Sequence, residues 1–156
     1  IALRVMPANV APPDYLIGRY LAPMTASSYV HRDLLNPEHP EDVSHLTWIG
    51  KNPGDQKEEW LATTDWPELP VRHAVEDYSL VLEAMRSKMG MAFMPCFASA
   101  EIPEVVHVPG ATIIHHSDMW VLTHQDLRLS ARLRMLREII AEEFAKIAPL
   151  LDSRSP

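Results

Sequence analysis

Near the C-terminus, apolar residues recur at spacings of three and four: Leu129, Leu133, Leu136, Ile140, Phe144 and Ile147. That period gathers them on one stripe of a long amphipathic helix. Arg132, Arg134, Arg137, Glu142 and Glu143 fall elsewhere on the cylinder, and Asp126 or Ser130 can serve as N-cap. Upstream the apolar runs are short and strand-like, at 1–5, 16–21, 26–30, 46–49, 71–75, 91–94, 105–108 and 119–124. A short helix is expected over 55–63, with Trp60 and Leu61 facing inward.

The most readable unit runs from Val71 to Pro95. A strand is followed by Asp77, whose carboxylate can accept from the unpaired N–H groups of a first helical turn. Leu80, Leu82, Ala84, Met85 and Met89 supply an apolar face, and Gly90 is placed to close the helix as its C′ residue. The following run, 91–94, is apolar throughout, as a strand covered on both faces would be. Strand, helix, strand at this length predicts a βαβ unit with parallel strands and a right-handed crossover. Pro95 then starts a single turn reaching Ala100. Alternating strands and helices make the class α/β.

Composition narrows the possibilities. Of 156 residues 47% are hydrophobic and 22% charged, as in ordinary globular proteins. Fourteen prolines against five glycines cluster between the apolar runs and mark connections. The net charge of −7 is unsuited to gripping phosphates, so any DNA contact must come from another part of the polypeptide. The first residues, IALRVMP, do not resemble a signal peptide, and an abrupt start on an apolar run suggests a chain that begins within something longer. No run approaches the ~20 apolar residues of a membrane helix, so no membrane partner is expected.

Candidate chemistry is sparse. Eight histidines invite a metal, with His115 and His116, His107 and Asp118 as the focus, but ligand spacings typical of metal sites are missing. The histidine pair reads as surface in a loop between strands, and no metal or cofactor is expected. Cys96 follows an apolar strand and reads as a buried structural thiol rather than a nucleophile. No phosphate-binding glycine loop or nucleophile elbow is present. The start of the helix after Asp77 is the better prospect. The N–H groups of Tyr78 and Ser79 stand at the C-terminal end of a strand, where α/β sheets bind ligands and helix dipoles favour anions. Self-capping by Asp77 is the competing explanation.

Taken in order, five segments resemble the effector-binding domain of LysR-type bacterial transcriptional regulators. They are IALR at 1–4, LIGRYLAP at 16–23 and HPEDV at 39–43, then VEDYSLVLEA at 75–84 with MGMAFMP at 89–95, and last MWVLTHQDLR at 119–128 with SARLR at 130–134. The resemblance covers 1–146. It implies a two-lobe fold like that of type 2 periplasmic binding proteins, with the effector in the cleft and the first lobe incomplete. Residues 1–18 and 115–156 would belong to the first lobe and 19–114 to the second.

The implied function is a non-enzymatic, cytoplasmic sensor of a small organic effector, an organic acid being the common class in the family. Binding would control oligomer geometry and DNA binding by a helix-turn-helix that this chain lacks. The cleft residues implied are Arg4, Val5, Gly50, Lys51, Asp77, Tyr78, Met94 and Pro95, with Arg4 or Lys51 able to meet a carboxylate. A surface salt bridge is the alternative role for either cation. Lys88 stands where the family signature has its first glycine, and Met91 replaces a branched aliphatic residue. A missing part of the first lobe would leave an apolar face exposed or covered by another chain. The competing functions are a solute-binding protein of a transport system and a small hydrolase using Cys96 or a histidine metal site.

Overall fold

A computed structural model describes residues 1–50 and 60–153. Its elements are β1 (Ala2–Pro7), β2 (Leu16–His31), β3 (Trp48–Gly50), β4 (Val71–Ala74), α1 (Tyr78–Arg86), β5 (Met91–Pro95), β6 (Val105–His107), β7 (Ile114–His124) and α2 (Ala131–Leu151). The chain divides into two compact units: unit 1 holds Ile1–Thr25 and Ile114–Pro156, unit 2 holds Ala26–Ile113.

In unit 2 the second half of β2 runs antiparallel to β5, with Ala26 opposite Pro95 and Val30 opposite Met91. It also pairs with β6, Tyr29 facing His107. β3 is parallel to both β5 and β4 and lies between them. The two strands of the expected βαβ unit are therefore parallel but not neighbours, because β3 takes the place between them.

Strand periodicity explains the core. Successive side chains point to opposite faces, and the residues sort accordingly. Tyr29, Ile49, Ala92 and Met94 join Ala84 and Met85 of α1 in one apolar cluster. Val30, Trp48 and Met91 join Val43, Leu46, Leu61, Leu69 and Val108 in the other. The apolar run at 91–94 thus serves both faces of the sheet.

Asp77 caps α1 as expected, accepting from the N–H groups of Ser79 at 2.9 Å and Leu80 at 3.1 Å. The other end differs from expectation. Lys88, not Gly90, is the left-handed C′ residue, at φ 60°. Its N–H donates to the Met85 carbonyl, and that of Met89 donates to Ala84, each at 3.0 Å. This is the paired closure of a Schellman motif. Gly90 is needed for another reason: a Cβ there would lie 2.4 Å from the Thr47 carbonyl oxygen.

In unit 1, β1 pairs antiparallel with β7, Ala2 opposite Leu122 and Pro7 opposite Ser117. The runs at 16–21 and 26–30, read as two strands, are one continuous β2, since Pro23 has a φ compatible with extended backbone and costs only one donor. His115 and His116 lie inside β7 rather than in a loop. Both oxygens of the buried Asp118 are used there: Oδ2 accepts from the Asn9 N–H at 2.9 Å, and Oδ1 lies 2.7 Å from Nε2 of His115. Ser130 holds the N-cap position of α2, without a side-chain hydrogen bond. The fully buried Thr25 closes the helix at its far end, donating to the Leu151 carbonyl and accepting from the Ser153 N–H. The expected helix over 55–63 falls mostly outside the described residues; its end, Leu61–Thr63, is a 3-10 turn.

Candidate functional site

The C-terminal ends of the three parallel strands of unit 2 bring together most of the residues expected at the site. Gly50 ends β3, and its carbonyl accepts from Val75 just past β4 at 2.7 Å. A Cβ at Gly50 would stand 2.7 Å from Cζ2 of Trp60 and 3.0 Å from Cγ1 of Val71, so only glycine fits without a shift. Asp77 and Tyr78 follow β4 at the start of α1, with Tyr78 42% exposed. Pro95 ends β5 half-buried, beside Ala26 of β2. Met94 is buried in the apolar cluster with Met85, so its side chain belongs to the core.

Other expected residues stand apart. Arg4 and Val5 are exposed on β1 of unit 1, opposite Trp120 and Met119. Lys51 lies outside the described residues.

The electrostatics of the α1 start are not those of an open anion site. Asp77 already occupies the N–H groups of Ser79 and Leu80, and its own charge answers the positive end of the helix dipole. A shallow depression of about 540 Å³ runs beside α1, lined by Val75, Glu76, Asp77, Leu80, Glu83 and Met89 among others. Its acids would repel a carboxylate, and of the expected residues it includes Asp77.

Sequence reading missed a polar network in unit 2 that runs from the buried Ser27 through the half-buried His107 to the exposed Thr112 and Asp65. The Ser27 hydroxyl, fully buried, donates to the Thr112 carbonyl at 2.9 Å. Its single proton is then spent, so the 2.8 Å contact with His107 requires Nε2–H of the imidazole to donate to Ser27. Burial holds the His107 pKa below its ordinary value, partly offset by the charge of Asp65. Asp65 accepts from the Thr112 N–H and hydroxyl at 2.8 and 2.7 Å. Tyr29 packs edge-on to His107 at 5.5 Å, and burial followed by the Cys96 contact pushes its hydroxyl pKa up. These residues are far apart in sequence, and a serine in a strand carries no signal of a partner 80 residues away.

Cys96 is buried, as expected. Among the described residues no group of three or more His, Cys, Asp or Glu side chains could hold a metal ion. Among them, too, no helix is long and apolar enough to cross a membrane.

Comparison with known proteins gives these features a context. The family profile of the LysR substrate binding domain matches residues 2–145. Among solved structures, the effector domain of the transcriptional regulator AmpR of Pseudomonas aeruginosa is similar at 21% identity and a TM-score of 0.63, over 94% of this chain and 72% of that one. The regulatory domain of CrgA, a LysR-type transcriptional regulator from Neisseria meningitidis, matches at 13% identity and a TM-score of 0.64, over 92% and 76%. The AmpR effector binding domain from Citrobacter freundii matches at 19% and 0.61, over 92% and 74%. At these identities the structures establish the fold. No curated protein matches the chain. The family profile favours a sensor over a transport solute-binding protein, and the chain belongs to the LysR substrate-binding domain family, the effector-sensing part of LysR-type transcriptional regulators.

Proposed function

We propose that the chain binds a small carboxylate-bearing effector at the C-terminal ends of the parallel strands of unit 2, and that binding regulates a larger DNA-binding protein. The observation that supports this is convergence: Gly50, Asp77 with Tyr78, and Met94 with Pro95 come from three separate strands to one sheet edge. That edge is where open α/β sheets take ligands. Tyr78 supplies an exposed side chain, and Gly50 a stretch of backbone where a Cβ would run into Trp60.

Because Asp77, Glu76 and Glu83 make the α1 side acidic, the cation for a carboxylate has to come from elsewhere. Arg4 and Lys51, with Val5 beside Arg4, are the proposed contributors on the strength of the resemblance. An effector that binds one arrangement of the protein better than another shifts the population between them. The whole regulator would be a cytoplasmic homo-oligomer whose DNA contacts lie in a separate segment, since a net charge of −7 opposes phosphate binding. The domain itself would carry out no catalysis. The chain spans 72% of the AmpR effector domain.

Titration calorimetry with a panel of small mono- and dicarboxylates tests this reading. At least one should bind, and Arg4→Ala, Lys51→Ala and Tyr78→Ala should each weaken it by roughly tenfold, the worth of one charge-assisted contact. Heat from none of the panel would retire the carboxylate class. Binding indifferent to all three substitutions would retire the residue assignment.

A further inference from the structure

The turn at 60–64 is bonded to itself. Thr63 donates to the Trp60 carbonyl from its N–H at 3.0 Å and from its hydroxyl at 2.6 Å, and Thr64 does the same to Leu61 at 3.1 and 2.7 Å. Leu61 and Thr64 are buried, so the turn is seated in unit 2 as one piece. At one end Trp60 lies against Gly50 of the candidate effector site. Its buried indole N–H has no partner among the described residues, so packing alone, edge-on to Trp48 at 5.4 Å, holds the ring.

At the other end of the turn Asp65 holds Thr112. The N–H and hydroxyl of Thr112 donate to Asp65 and its carbonyl accepts from Ser27, so all three polar groups of an exposed residue are taken. The chain enters unit 2 at Ala26 and leaves it after Ile113. The bond from Ser27 to Thr112 therefore ties together the two points of passage. Val108 donates to the Ser28 carbonyl and Ala111 to that of Val108, which folds the intervening return segment onto β2.

We propose that Asp65 and Thr112 are positioning residues that couple the effector site to both ends of unit 2. A ligand seated on Gly50 displaces Trp60, the turn moves with it, and Asp65 passes the displacement through Thr112 to Ser27. This rests on the effector site proposed above. His107 reports the state of the coupling. While Ser27 donates to Thr112, the imidazole must carry its proton on Nε2. Once Thr112 moves off, the Ser27 hydroxyl turns to donate to Nε2, and the imidazole proton transfers to Nδ1 by exchange with solvent.

Nitrogen NMR of the labelled full chain, at about pH 8 where the imidazole is neutral, tests the coupling. The parent should show His107 protonated on Nε2. Asp65→Ala should raise the share protonated on Nδ1 by at least about fivefold, the worth of one neutral hydrogen bond. Thr112→Val, which leaves the Asp65 charge in place, should move the tautomer in the same direction, and Thr112→Ser, which keeps the hydroxyl, should match the parent. A parent protonated on Nδ1, or a tautomer that neither Asp65→Ala nor Thr112→Val moves, overturns the proposal. Any carboxylate of the calorimetry panel that binds should shift the parent's tautomer but not that of Asp65→Ala, while its Kd in that variant stays within about threefold, a small energy on this scale. A bound carboxylate that leaves the parent's tautomer unmoved overturns the link to the effector. If none of the panel binds, the carboxylate reading fails instead, and the variant series by itself decides whether Asp65 positions Ser27.

Discussion

In unit 2, Trp48, Met85, Met91 and Ile102 are fully sealed from solvent, whereas in unit 1 Leu3, Val5, Leu136 and Ile139 are between 39% and 56% exposed. Among the described residues, the two apolar clusters described above lie in unit 2. The sequence patterns of the two units are equally strong. A period of two in β1 and of three to four in α2 assigns residues to faces, but only a second layer decides whether a face becomes core. Unit 2 has such layers on both sides of its sheet. Unit 1 leaves apolar residues of α2 and β1 open to solvent.

The widest test of this contrast is truncation in each unit. Trp48→Ala removes a sealed side chain and the hydrogen bond from its indole N–H to the Trp66 carbonyl. It should cost about 3–5 kcal/mol by urea unfolding. Ile139→Ala, equally apolar in sequence, should stay within about 0.5 kcal/mol at concentrations where the chain is monomeric. A large loss at Ile139 under those conditions would mean that the face is covered within the single chain. Next in size is Gly90→Ala, which drives a Cβ toward the Thr47 carbonyl. A backbone atom cannot rotate away, so a loss of about 1–3 kcal/mol is expected.

Where sequence reading succeeded and where it failed follows the same division. Local signals were legible: the Asp77 cap, the doubly buried run at 91–94 and the five family segments needed only neighbours in sequence. The closure of α1 was misread because a glycine suited to a left-handed C′ position lay two residues from the residue that takes it. Gly90 answers a long-range contact with Thr47, and no periodicity announces such an approach. The same limit hid the pairing of Ser27 with His107 and of Asp65 with Thr112. At the candidate site, sequence located the strand ends and the helix start, but not that Asp77 uses up the helix donors or that Met94 is turned into the core.

Lys88 offers a gain rather than a loss. It adopts the left-handed conformation in which a side chain costs an L-residue about 1 kcal/mol. Its ion pair with Asp33 at 2.7 Å is solvent-exposed and recovers little of that. Lys88→Gly should therefore stabilise the protein by up to about 1 kcal/mol, raising the urea midpoint at an unchanged slope. A loss of stability would show that the Asp33 contact ties the 32–34 turn to α1 more firmly than exposed pairs usually do.

The smallest effect probes how dry the interior of unit 2 is. Burial lowers the His107 pKa below its ordinary value, so the unfolded chain takes up a proton on this residue at higher pH than the folded one. Stability then falls as pH drops below the ordinary histidine value, about 6.5, and the fall levels off once the folded protein also protonates. Asp33 and Asp42 also have lowered pKa values, held down first by the Lys88 and Ser44 hydrogen bonds respectively. For carboxylates the loss comes on protonation below about pH 4, a separate window. Urea midpoints measured between about pH 7 and pH 5 should therefore decline, and His107→Gln, which keeps an N–H donor for Ser27 without titrating near neutrality, should flatten that slope. An unchanged slope in the variant would mean that water reaches the imidazole. In that case the closed core of unit 2 stops short of the Ser27 network, and the contrast with unit 1 narrows to the two apolar clusters alone.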